Sequence, residues 1–426
     1  MAVVLSYRVA EAGSKVYVLA RVAIGGDDGT GGADRTPVNL ALVVDQSSSM
    51  RGPRFAQAVR AVREVASRLD ARDRLALVLF DGTARVAFGP APLSDDRRAE
   101  LAELLDAART GIGTNLAAGW KKGVEAVASG FVRGAIARVV LLTDGQPSVG
   151  ITDASRLAEL AEAEAARGVT TTCMGIGETF DDELLGEIAR RGGGGFYFLE
   201  RPESIPAAFG SELAGVFAIG ARQAELKLVP DEDVVSVEVL HRLPARPAGD
   251  GLVVHLGDVA GGPPRQVLFC VHREPGTASR RVGTLALTCR NADGSPGDGH
   301  ILGVELPPVP LHEDAAAVIL ERLRLVVASA VDEAWARRGH RDRRAADGAL
   351  ARARREVADA RAAHRLDPAA VDELLDDIAR AERALAGGAA ERERARRGLR
   401  ERSQLTLLGH SSVRPLPEAD DDTGAE

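Results

Sequence analysis

The chain has 426 residues, 45% apolar and 27% charged, with a net charge of −8, the balance of a folded protein long enough for two or three domains. An acidic balance argues against a nucleic-acid binder, which must neutralise phosphates. The longest run free of polar residues, 213–221, falls far short of the ~18 residues of a membrane span.

Three cysteines, Cys173, Cys270 and Cys289, lie in apolar, strand-like runs. They read as buried reduced thiols rather than as a disulfide or a metal set; the sequence leaves open whether Cys270 and Cys289 lie on neighbouring strands. There is no Asn-x-Ser/Thr sequon, and MAVVLSYRVAEAG lacks the basic, apolar and small-residue succession of a secretion signal. These features point to the cytoplasm. Among the 54 basic residues only Lys15, Lys121, Lys122 and Lys227 are lysines, a bias that with heavy Ala and Gly use suggests a GC-rich bacterial genome.

In chain order, residues 1–38 hold two strand-like runs, 3–9 and 15–24, then a Gly/Asp-rich connector whose aspartates lack calcium-loop spacing. Residues 39–220 alternate apolar runs at 38–45, 74–80, 137–143, 170–176 and 196–199 with amphipathic stretches. In the first of these Phe55, Val59, Val62, Ala66 and Leu69 mark one helix face. Continuous apolar strands alternating with helices predict a mainly parallel sheet covered on both faces, with 85–88 as an antiparallel edge.

Residues 221–310 hold five further short strand runs, at 223–229, 234–241, 252–256, 266–272 and 282–289, parted by Pro/Gly turns, the pattern of an antiparallel sandwich. Joining the two N-terminal runs to these five makes seven strands and turns the α/β domain into an insertion within the sandwich. Residues 311–405 are helical: Ile319, Leu323, Val326 and Ala330 form one stripe, and Leu350, Ala353, Val357 and Ala360 another. Asp367-Pro368 opens a third helix that Gly387-Gly388 closes. Its mixed charges, including the basic run 392–400, read as solvated helix faces, and 406–426 as an acidic tail, disordered at its end.

The residues with chemistry cluster at predicted strand ends. The first α/β strand ends in Asp45-Gln46-Ser47-Ser48-Ser49. Gly111-Ile112-Gly113-Thr114-Asn115 precedes a helix, and Thr143-Asp144-Gly145 ends the next central strand. In a doubly wound sheet this edge binds ligands. Two carboxylates and three hydroxyls make a small, hard, oxygen-only site that suits Mg²⁺. Singly, each segment reads as a helix cap or turn; their joint order favours a site.

Asp45-x-Ser47-x-Ser49, then Thr114, then Asp144-Gly145 resembles the metal-ion-dependent adhesion site of the von Willebrand factor type A family. The resemblance implies a Rossmann-like fold over 39–220. It also implies metal ligation by Asp45, Ser47, Ser49, Thr114 and Asp144, with Asp144 often acting through water, and binding of a partner's Asp or Glu through Mg²⁺, with Mn²⁺ or Ca²⁺ as alternatives. Many relatives carry Gly where this chain has Ser48. The wider layout is similar to bacterial relatives of the inter-alpha-trypsin inhibitor heavy chains.

The leading expectation is a cytoplasmic, non-enzymatic interaction module. The alternative is a non-catalytic subunit of a chelatase-like or MoxR-type assembly, whose AAA+ ATPase would be a separate polypeptide because this chain has no P-loop signature. His312-Glu313 does not extend to H-E-x-x-H, and no G-x-S-x-G elbow is present. Gly192–Gly195 reads as a turn rather than a phosphate loop, and Trp120 and Trp335 as packing residues.

Overall fold

The computed structural model describes residues 2–25, 35–177, 179–309, 311–339, 343–387, 399, 402–403 and 405–409. The connector from 26 to 34, the basic run 392–400 apart from Leu399, Gly388 and the tail beyond 409 lie outside these residues. The chain opens with β1 (Ala2–Ala12) and β2 (Lys15–Gly25), an antiparallel hairpin. Two compact units form, one within 29–219 and one within 1–28, 220–290 and 296–413.

The first unit runs β3 (Val38–Asp45), α1 (Pro53–Arg68), β4 (Arg74–Phe80), β5 (Ala84–Pro92), α2 (Asp95–Ala107), α3 (Leu116–Ser129) and β6 (Ile136–Thr143). It continues with α4 (Ala154–Ala166), β7 (Val169–Ile176), α5 (Asp182–Arg191), β8 (Gly193–Leu199) and α6 (Ser204–Phe217). The sheet order is β5-β4-β3-β6-β7-β8, parallel except for the edge strand β5, which runs against β4. Alternate strand residues explain the continuous apolar runs. Ala41, Val43, Val78 and Leu141 pack with Trp120, Leu157 and Ile188 of α3, α4 and α5. Leu40, Leu42 and Val44 alternate to the opposite face and are equally buried, which leaves that side to α1 and α6, packed on each other.

Two glycines bring α3 close to the sheet. A Cβ at Gly119 would lie 2.6 Å from Phe80, and one at Gly123 would lie 2.5 Å from Val43. From β3 the chain winds to β4 and β5 on one side, then to β6, β7 and β8 on the other. Winding therefore reverses between β3 and β6, whose C-terminal ends open side by side, the crevice where such sheets receive ligands.

The second unit continues with β9 (Ile219–Pro230), β10 (Val234–Val239), β11 (Ala245–Ala248), β12 (Gly251–Ala260), β13 (Arg265–Arg273), β14 (Arg281–Asn291) and β15 (His300–Glu305). Among the described residues nine strands, not the expected seven, form sheets ordered β1-β2-β13-β10 and β11-β12-β9-β14-β15. The two unforeseen strands, β11 and β15, are the edges of the second sheet. Edge strands need no two-sided apolar pattern and tolerate proline, here Pro247. Val18 of β2 stands opposite Phe269 of β13, so the N-terminal strands belong to this sheet and the α/β unit is inserted between β2 and β9. Val18, Val22, Leu226, Val254, Phe269 and Leu285 share one core.

Cys270 on β13 and Cys289 on β14 belong to different sheets, and all three cysteines are free thiols. The helices α7 (His312–Gly339), α8 (Arg343–Ala363) and α9 (Pro368–Ala386) complete this unit. α7 is apolar on two sides rather than one. Val318, Leu325 and Ala328 meet Leu19 and Leu268 of the sheet, whereas Leu323, Val327 and Val331 meet Leu350, Val357 and Ile378 of α8 and α9. His312 is simply the first residue of α7, and Asp367 caps α9 by accepting from Ala369 N–H at 3.2 Å. Among the described residues no helix is long and apolar enough to cross a membrane.

Candidate metal centre

The backbone first assembles the rim. Gln46 N–H donates to Phe80 O at 2.7 Å and Gly111 N–H donates to Gln46 O at 2.6 Å, which ties the loop after β3 to the loop before α3. Ser148 N–H donates to Thr114 O at 2.9 Å, and Thr114 N–H donates to Ser148 Oγ at 3.0 Å, which ties in the loop after β6. Three segments far apart in sequence thus meet at the switch between β3 and β6.

On this frame the five expected ligands converge. Ser49 Oγ donates to Asp144 Oδ1 at 2.7 Å, and Ser47 Oγ and Ser49 Oγ lie 3.0 Å apart. Asp45 Oδ1 accepts from Ser47 N–H at 2.7 Å, and its Oδ2 accepts from Thr143 Oγ1 at 2.6 Å. A Cβ built on Gly145 would stand 3.7 Å from Thr114 Oγ1 and 3.9 Å from Ser49 Oγ, so both hydroxyls flank that open position. Asp45, Ser47, Thr114 and Asp144 are buried, and Ser49 is exposed at the mouth.

The capping alternative does not absorb these groups. The cap of α3 is Asn115, whose side chain accepts from Ala118 N–H at 3.1 Å, not Thr114. Thr114 Oγ1 has no hydrogen-bond partner among the described residues. The cap of α1 is Gly52, at φ +86°, and Ser47 makes no capping bond to the short 3₁₀ turn Ser48–Met50. Gln223 is the one non-glycine residue at positive φ among those described, so Ser48, where relatives carry Gly, sits in ordinary backbone.

Two residues at the site were not foreseen. Thr143, last in β6, holds Asp45 as described. Arg54, in the first turn of α1, donates through Nη1 to Asp144 Oδ2 and pairs with that carboxylate. Its guanidinium also lies against the backbone at Gly177, where a Cβ would come within 2.8 Å of Nη2. A cation in a first helical turn opposes the macrodipole; that misfit was the available signal.

Electrostatically the two carboxylates differ. Burial pushes Asp45 up to about 6, against the hydrogen bonds from Thr143 and Ser47, and the Asp144 charge adds to the rise. Among the described residues no guanidinium or ammonium forms an ion pair with it. Among the described residues no group of three or more His, Cys, Asp or Glu is arranged around a metal. The donor set here is instead two carboxylates with hydroxyls, hard oxygens of the kind that Mg²⁺ accepts together with waters. A buried carboxylate without a cation, beside a hydroxyl without a partner, fits such an ion.

Residues 39–209 match the model of the von Willebrand factor type A domain. The Synechocystis protein sll0103 is 26% identical over 284 residues, 64% of this chain and 66% of that protein. The inter-alpha-trypsin inhibitor heavy chain H4 of Sus scrofa is 26% identical over 166 residues, 37% of this chain and 18% of its own. The chain thus spans less than two thirds of the length of either relative. A solved structure described as von Willebrand factor type A from Catenulispora acidiphila aligns over 97% of both chains with a TM-score of 0.71 at 16% identity, a likeness of fold.

Proposed function

We propose that this chain, whose residues 39–209 form a von Willebrand factor type A domain, holds Mg²⁺ on Asp45, Ser47, Ser49, Thr114 and Asp144 and uses it to bind an acidic side chain of a protein partner. The observation that carries this reading is the Ser49–Asp144 hydrogen bond at 2.7 Å, with Ser47 Oγ 3.0 Å further along, which gathers oxygens 95 positions apart into one cluster. Mn²⁺ and Ca²⁺ suit the same hard donors. When bound, the ion supplies a positive centre with room for a visiting carboxylate.

The protein's own residues do the positioning. Thr143 and the Ser47 N–H orient Asp45, Ser49 orients Asp144, and Asn115 frees Thr114 by capping α3 itself. Binding rather than catalysis suits the site, because the two acidic groups are already committed to hydroxyl and guanidinium partners. A cytoplasmic adaptor or scaffold is the matching cellular role, supported by three thiols that are all unpaired.

Affinity capture from native lysate tests this, comparing Mg²⁺ with EDTA and wild type with Asp45→Ala and Asp144→Ala. The expected result is a partner recovered with Mg²⁺ and lost in EDTA and in both variants. Capture indifferent to chelator and to both substitutions would defeat the reading.

A further inference from the structure

We propose that Arg54 is a built-in counter-cation of this site, weakening the hold on the metal so that the metal keeps its charge for the partner's carboxylate. The inference rests on the metal-centre reading and deepens it. Asp45 and Asp144 carry two negative charges between them, enough to neutralise a dication. Arg54 returns one positive charge at Asp144 Oδ2. The side chain is not a stray surface contact. It is only 32% exposed, Asp144 is fully buried, and the guanidinium is wedged between that carboxylate and the Gly177 backbone.

The geometry divides the oxygens of Asp144. Oδ1 accepts from Ser49 and Oδ2 from Arg54. With one oxygen engaged by a guanidinium, Asp144 presents less negative charge to an ion than Asp45, which faces only hydroxyls and an N–H. The site with a dication then has a net charge of about +1 rather than zero, counted from side chains fully ionised at neutral pH. An electropositive site attracts an anionic ligand more strongly than a neutral one. Arg54 therefore trades metal affinity for ligand affinity.

The test uses the full chain and two probes, Mn²⁺ alone and then acetate as a carboxylate. Mn²⁺ binding is followed by electron paramagnetic resonance of the free ion in wild type, Arg54→Gln and Arg54→Lys, after chelator melts confirm that each folds. Arg54→Gln should bind Mn²⁺ tighter, on the order of tenfold, the scale of one full charge contacting a buried ligand carboxylate. Arg54→Lys, which keeps the charge, should stay near wild type. Broadening of the acetate methyl resonance by the bound Mn²⁺ should be strong in wild type and weak in Arg54→Gln.

Equal or weaker Mn²⁺ binding by a folded Arg54→Gln overturns the inference while leaving the proposed function in place, as does equal acetate broadening. Binding by Arg54→Gln alone upholds Arg54 as an opposing cation and overturns the proposed function for the native chain. Binding by neither defeats both.

Discussion

Two buried carboxylates in this molecule have opposite neighbours. In the second unit Glu321 of α7 is 3% exposed, with His241 Nε2 3.4 Å from one oxygen and Arg324 donating to the other at 3.2 Å. His241 in turn accepts the Leu268 N–H at 2.9 Å through Nδ1, so its Nε2 carries the proton towards Glu321. Burial pushes the Glu321 carboxyl up, but the facing His241 and Arg324 outweigh it and hold it below the usual range. Asp45 is as deeply buried, yet only hydroxyls and an N–H oppose the same penalty, and it rises to about 6. A buried acid with its donors and a cation already in place is architecture; one without a cation is where the proposed metal would sit.

The sharpest way to break this comparison is to remove a hydrogen-bonding neighbour from the first kind. His241→Leu should destabilise the protein by about 3 kcal/mol, the upper scale for a buried charged group left short of a hydrogen-bond donor, read as a shifted urea midpoint. Mn²⁺ affinity should not move. Loss of metal binding would mean that the two carboxylates are not independent.

Next comes Asp144→Ala. Losing a direct or water-bridged ligand should lower Mg²⁺ affinity by at least about a hundredfold, the upper range for disturbing even an outer shell. Isothermal titration reads it. Affinity within threefold of wild type would remove Asp144 from the ligand set.

A subtler effect sits at Asp45 in the metal-free protein. A carboxyl raised in the folded state destabilises the fold once it ionises. The penalty is absent below the unfolded value, here 3.8, and complete above about 6. Asp45→Asn should therefore stabilise the chelator-treated protein by up to about 3 kcal/mol at pH 8 and by almost nothing at about pH 3. Denaturant melts at both pH values, in EDTA, check the sign. With saturating Mg²⁺ the order should invert, because the metal stabilises only the wild type.

The smallest change is Gly145→Ala. Its Cβ would meet Thr114 and Ser49 oxygens only at van der Waals distance, so the fold should tolerate it, within about 0.5 kcal/mol. A methyl in that opening should still weaken Mn²⁺ binding severalfold. Unchanged binding would place the ion elsewhere on the rim.

Much of this was legible in the residues. Strand ends at Asp45 and Phe80, the edge strand after β4, and the helix start near Leu116 follow from local signals: apolar runs of strand length, a tight turn, and a glycine-bearing loop before an apolar helical pattern. The five oxygen donors were legible as candidates too, since each closes, follows or immediately precedes such an element. β11 and β15 were not, because an edge strand has one neighbour and may expose its residues, as Ile301 does at 74%. The second apolar face of α7 was hidden because its two stripes cancel as periodicity.

By itself, then, the sequence determined the alternation of elements and the chemistry at their ends, since backbone propensity and side-chain type are local properties. Tertiary structure decided what lies beside what. Chain reversal between β3 and β6 brings Ser49 to Asp144, Thr143 turns its hydroxyl onto Asp45, and Arg54 reaches across from α1 to Asp144. Those pairings depend on strand order and helix docking, and electrostatics acts through distance in space, which spacing along a chain does not encode.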